Sequence, residues 1–299
     1  MNERDEKIIN SALKQLFFCA RKNINKIMIT LFVFNIIETI ITLFCSKLVV
    51  VLSLSTPLIL TLAMSLLISI GMLTAVMLLY YGLSVMTLRM ARKEYVTIGY
   101  LLIGFRKWRN VAKYALFFAV LLTVVCALFL AIWFFFTPLS VVLFNKVGVM
   151  TGTAFIVLFF LCLLVLSLFP WTFVWYLLAN EPEKQKGVFK RNFALLKGRK
   201  KLFFKIVFKV MGKRIVTILI VWAFMFFFTQ ISLKSKSAML SLFSSFFSFL
   251  YMYLLYATQA FAFLLLPIIY DLFLADSVAK QVDVVEIKYA LPDTTGVEQ

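Results

Sequence analysis

The sequence predicts an all-α polytopic membrane protein. Six transmembrane helices are expected as three hairpins, each preceded by a basic amphipathic interfacial helix, with both termini cytoplasmic. Three observations carry this. Hydrophobic residues make up 63% of the 299 positions and charged residues only 15%, too little polar surface to keep a chain of this length in water. Several apolar runs exceed the roughly 20 residues a helix needs to cross a bilayer. Finally, Lys and Arg are split unevenly between alternate loops. Six fall in the N-terminal segment, seven in the second loop, twelve in the fourth and two in the tail, 27 in all, against four in the first, third and fifth loops. Cytoplasmic loops carry such an excess, so the basic side is assigned to the cytoplasm. A transmembrane barrel does not fit, because its strands would alternate polar and apolar over about 10 residues.

Residues 4–22 place Ile9, Leu13, Leu16, Phe17 and Ala20 on one helical face, leaving Lys7, Lys14, Arg21 and Lys22 for the other. Such a helix suits the membrane interface. The polar start of the chain does not read as a cleavable signal. The first span is expected over 27–45 and the second over 58–85, where Gly71, Ala75 and Gly82 lie on one stripe that lets another helix approach. A second interfacial helix is expected over 93–112, with Ile98, Leu101, Leu102, Phe105 and Ala112 in a stripe and Trp108 beside it.

The third and fourth spans are expected over 114–136 and 151–178, the latter opening on Gly148-x-x-x-Gly152 and kinked by Pro170. Glu181-Pro182-Glu183 breaks the helix, and Val188, Phe189, Asn192, Phe193 and Leu196 mark a third amphipathic helix within 187–209, with Gly198 as its C-cap. The fifth and sixth spans are expected over 215–229 and 246–274. Residues 1–278 then form one transmembrane domain, and 279–299 a polar, loosely ordered cytoplasmic tail. The three basic segments, each leading into a pair of spans, read as three copies of one unit.

Three groups of residues are candidates for function. Glu38, on an apolar span beside Asn35, must be protonated, paired or facing a wet cavity. With Gln259 it forms either a midplane site for a proton or cation, or polar glue between helices. Asp271, near the inner end of the sixth span, reads as an interfacial cap or a partner for loop lysines. Lys197, Arg199, Lys200 and Lys201, beside the start of a helix, could hold a phosphate or lipid headgroup; the alternative is an unspecific belt of charge.

Enzymatic chemistry is not expected. The chain has no histidine, and its four cysteines, Cys19, Cys45, Cys126 and Cys162, form no CxxC pair. No Walker A, GxSxG or HExxH motif occurs. No cofactor or metal is expected. The net charge of +18 is assigned to the membrane surface, not to nucleic acid. The expected partners are anionic lipid headgroups on the cytoplasmic side, and a membrane protein or second copy of the chain.

One segment carries a resemblance. Pro170, Tyr176, Asn180-Glu181-Pro182, Lys197-Gly198, Lys201 and Phe203 resemble the defining segment of a bacterial family of six-span membrane proteins with no assigned activity. That family is loosely allied to the membrane domains found beside glycerophosphodiester phosphodiesterases. Trp171 and Asn192 depart from its pattern, which usually has Gly and often Ser there. The resemblance implies six spans and a bacterial cytoplasmic membrane, and it supplies no functional residues. The function expected is therefore a non-enzymatic membrane protein whose basic collar binds anionic lipid or a membrane partner. The alternative is a small-solute or ion transporter built on Glu38 and Gln259.

Overall fold

The computed structural model describes residues 3–55, 57–143, 172–180, 187–235 and 238–290. Among them the only regular structure is helical. The elements are α1 (Glu3–Ser55), α2 (Leu58–Ala91), a 3-10 turn (Ile98–Leu102), α3 (Ile103–Arg106), α4 (Trp108–Leu143), α5 (Val174–Asn180), α6 (Val188–Leu196), α7 (Lys200–Ser235) and α8 (Ala238–Ala290). Five of these helices are long and apolar enough to cross a membrane, within α1, α2, α4, α7 and α8. Most of the expected fourth span, with Gly148, Gly152 and Pro170, lies outside the described residues, as does Glu181-Pro182-Glu183.

The helices are more continuous than the sequence pattern suggests. No Gly or Pro occurs between Glu3 and Ser55, so nothing interrupts the hydrogen-bond ladder, and α1 runs unbroken for 53 residues. That is about 80 Å, more than twice a bilayer's hydrocarbon thickness. The basic segment 4–22 is therefore the first part of one long helix and not a separate helix before it. Likewise α7 begins at Lys200 and takes the end of the 187–209 segment into the run expected as the fifth span. Helix α8 keeps Pro267 in its interior and continues to Ala290, well past the point where loose order is expected.

The chain divides into two compact units. One comprises Ile29–Met86 and Tyr95–Phe193. In it α1 and α2 are apolar and exposed at Ile40, Phe44, Ile59 and Leu67, and they meet in a packed core where Phe34 lies edge-on to Tyr80 at 4.9 Å. Leu79, Leu83, Ala115, Ala119 and Phe173 are buried in that core, and Trp175 lies against Tyr81 and Phe118. Asn192 is fully buried there, and its Oδ1 accepts the Phe173 N–H at 3.0 Å. That N–H, at the start of α5, has no partner within its own helix.

The segment 98–106 folds back along α2. Gly82 lies against the Leu101 carbonyl and Gly104 against the Leu78 carbonyl, so the two backbones touch where only glycine fits. A larger residue at either place would hold them apart. Of the predicted small-residue stripe on α2, Gly82 thus makes a close approach, whereas Gly71 faces open space.

The other unit comprises Met1–Met28, Thr87–Glu94 and Ala194–Gln299. In it α7 and α8 pack together through stacked rings, Phe228 with Phe243 and Phe247 and Phe224 with Phe247, and through a 2.7 Å bond between the Thr229 and Ser244 hydroxyls. Its core holds Ile9, Ala12 and Leu16 from α1, Leu88 and Met90 from α2, Phe203 and Ile206 from α7, and Ile269 and Phe273 from α8. Hence most of the apolar face of 4–22 is spent inside the protein. Only Phe17, 67% exposed, and the neighbouring Phe18 turn outward.

Candidate functional site

The basic side of this second unit is built around two carboxylates on α8. Glycine 198 (Gly198), with φ +75°, ends α6 in the left-handed conformation expected of a C-cap. The turn presents Arg199 at the entry of α7. Its Nη2 and Nε donate to Asp276 Oδ2 at 2.6 and 3.1 Å, and its Nη1 donates to the Leu195 carbonyl at 3.2 Å. The guanidinium also lies over the Phe273 ring. The pair is well shielded, with side-chain exposures of 11% and 13%.

A second clamp holds the end of α2. Lys93 takes φ +62° just past the helix and reverses the chain. Arg92 then reaches Asp271 with two bonds, Nη2 to Oδ1 at 2.7 Å and Nε to Oδ2 at 3.1 Å. This bidentate pair is more open, at 33% and 29% exposure. The hydrogen bond to Asp271 holds the Arg92 pKa above its ordinary value, with partial burial opposing. Asp271 is thus a loop partner, and the cation it takes is an arginine.

The four candidate headgroup residues divide into two kinds. Arg199 faces inward to Asp276, whereas Lys197, Lys200 and Lys201 are exposed. The exposed amines continue along α7 as Lys205, Lys209 and Lys213, spaced by four from Lys201 and rising about 6 Å per step. Arg214 closes the run over the Phe261 ring at 3.5 Å. The planar guanidinium suits fixed geometry and stacking, and the flexible ammonium suits mobile anions. Arginine therefore serves the internal contacts of α7 and lysine its outer surface.

The intramembrane candidates are less enclosed. Asn35 is half-buried; its Nδ2 donates to the Leu31 carbonyl at 2.8 Å, and its own carbonyl accepts Thr39 Oγ1 at 2.7 Å. Glu38 is also half-buried, one helical turn beyond Phe34 on α1. Gln259 is exposed on α8, in the other unit. Among the described residues no three His, Cys, Asp or Glu side chains gather as a metal site would need. Asp276 and Arg92 are the residues that sequence reasoning missed. A signal for Asp276 was present: Asp271 and Asp276 are the only carboxylates between Glu183 and Asp283, a stretch holding most of the fourth loop's cations.

No family model, no curated protein and no solved structure matches this chain.

Proposed function

We propose that this chain is a non-enzymatic, six-span protein of a bacterial cytoplasmic membrane, oriented with both termini inside, whose basic collar binds anionic lipid headgroups. The observation that carries the reading is the 27-to-4 division of Lys and Arg between alternate loops, combined with the exposure of Lys197, Lys200 and Lys201. Each cation near an anionic leaflet gains about 1 kcal/mol, less when several crowd together. Membership of the six-span family rests on the segment from Pro170 to Phe203 and belongs to the same proposal. The test is lipid retention in native mass spectrometry. Replacing Lys197, Lys200 and Lys201 by Gln is expected to reduce the anionic lipids retained and leave the neutral ones unchanged. Unchanged anionic retention, or retention of a protein in their place, would sink the assignment of these lysines.

A further inference from the structure

Segment 95–109 has an amphipathic pattern whose two faces meet opposite fates. Val96, Leu101 and Gly104 are buried, and the two glycine contacts at Gly82 and Gly104 fix the segment to α2. The other face carries Tyr95, Ile98, Leu102, Phe105 and Trp108, at spacings of three, four, three and three, and all five are exposed, Tyr95 at 83%. Residues 4–22 of α1 have the same composition but bury most of their apolar stripe in the protein. Here the stripe points outward from a rigid mount.

Charge identifies what would cover it. Arg106, Lys107 and Arg109 flank the stripe and are exposed. No carboxylate occurs between Glu94 and Glu181, and Glu94 lies 3.6 Å from Arg89. The patch therefore has no counter-ion in its own stretch of chain and fits an anionic surface with an apolar interior. Covalent continuity brings it to such a surface, because Trp108 is the first residue of α4, one of the helices apolar enough to span. Aromatic rings beside Lys and Arg are the composition found at membrane–water boundaries.

We infer that segment 95–109 is a wedge seated in the headgroup layer of the anionic inner leaflet, its aromatic and aliphatic side chains among the acyl chains and Arg106, Lys107 and Arg109 on lipid phosphates. The inference rests on the orientation proposed above. It also sets a height within its own unit. Gly104 touches Leu78, Phe34 touches Tyr80, and Glu38 is one helical turn beyond Phe34. The wedge and Glu38 thus address the same stretch of α2, which puts the carboxylate at headgroup level, where water reaches it, and not at the midplane.

The experiment uses the full chain in vesicles of phosphatidylglycerol and phosphatidylcholine in equal parts, with one or the other lipid brominated on its acyl chains. Trp108 is one of five tryptophans, so its emission is taken as the difference between wild type and Trp108→Phe. That difference should be quenched by brominated lipid, more by phosphatidylglycerol than by phosphatidylcholine. Converting Arg106, Lys107 and Arg109 to Gln should remove the excess, by about fivefold for the first charge lost. Circular dichroism checks that these exposed substitutions leave the helices intact. Equal quenching by the two lipids overturns the inference, as does quenching only by aqueous iodide or by neither agent. Lipid retained by the same samples separates the two readings. Anionic lipid retained with Trp108 unquenched removes the wedge and leaves the collar. Loss of all anionic preference removes the collar.

Discussion

Adding one methyl group to α2 should have opposite consequences at two glycines eleven residues apart. An added Cβ at Gly82 would lie 2.6 Å from the Leu101 carbonyl carbon, about 1 Å short of ordinary contact at ~3.5 Å. Both partners are backbone, so no side chain can rotate away, and segment 98–106 must move off α2. Overpacking of this kind costs about 1–3 kcal/mol. The better helix propensity of alanine returns about 1 kcal/mol, leaving Gly82→Ala destabilised by up to about 2 kcal/mol. Gly104→Ala meets the Leu78 carbonyl carbon at 2.8 Å and should behave alike. Because either change alone lifts the segment, the double variant should cost less than the sum of the two. Gly71→Ala has nothing within 4 Å and should be neutral or mildly stabilising. The assay is unfolding of the detergent-solubilised chain by a denaturing detergent, followed by circular dichroism. Equal midpoints for Gly82→Ala and Gly71→Ala, or strict additivity of the Gly82 and Gly104 changes, would refute the close backbone contact.

Arg199→Gln should destabilise the protein by about 3 kcal/mol, since it strands the shielded Asp276 carboxylate, whereas Arg92→Gln, at the more open Asp271 pair, should cost nearer 1 kcal/mol; the same unfolding titration ranks them. Asn192→Leu removes the acceptor of the buried Phe173 N–H and should cost about 1–3 kcal/mol in that assay. Cys19 is buried, and its Sγ lies 3.6 Å from the Met90 carbonyl oxygen. A variant retaining only Cys19 should accordingly resist maleimide at neutral pH, compared with one retaining only the less buried Cys45.

Much of the architecture is legible in the sequence because hydropathy and charge are properties of a residue's solvent. Runs such as 58–75 and 215–229 can be read without knowing their neighbours, and so can the contrast between Lys47 and the cations around Lys197. Gly198 was equally readable, since a left-handed turn selects glycine locally. Two kinds of feature escaped. Helix continuity depends on the absence of breakers: the change from polar to apolar near Lys26 suggested a boundary, yet no Gly or Pro there interrupts α1. Long-range pairing depends on the fold: Arg92 meets Asp271 across 179 positions and Arg199 meets Asp276 across 77, distances at which spacing carries no information. The apolar stripes of 4–22 and 93–112 looked alike for the same reason. Only the packed structure separates the buried Ile9 and Leu16 from the exposed Phe105 and Trp108.

The orientation of the basic face underlies the collar and the wedge alike, and one labelling experiment tests it. In a background without native cysteines, Ser53→Cys and Ser277→Cys are exposed in turn to a membrane-impermeant maleimide, in intact cells and again after permeabilisation. Ser53, near the end of α1, should label in intact cells; Ser277, one residue beyond the Arg199 partner Asp276, should label only after permeabilisation. Labelling of Ser277→Cys in intact cells, with Ser53→Cys protected, would put the lysines on the outer face and contradict the account.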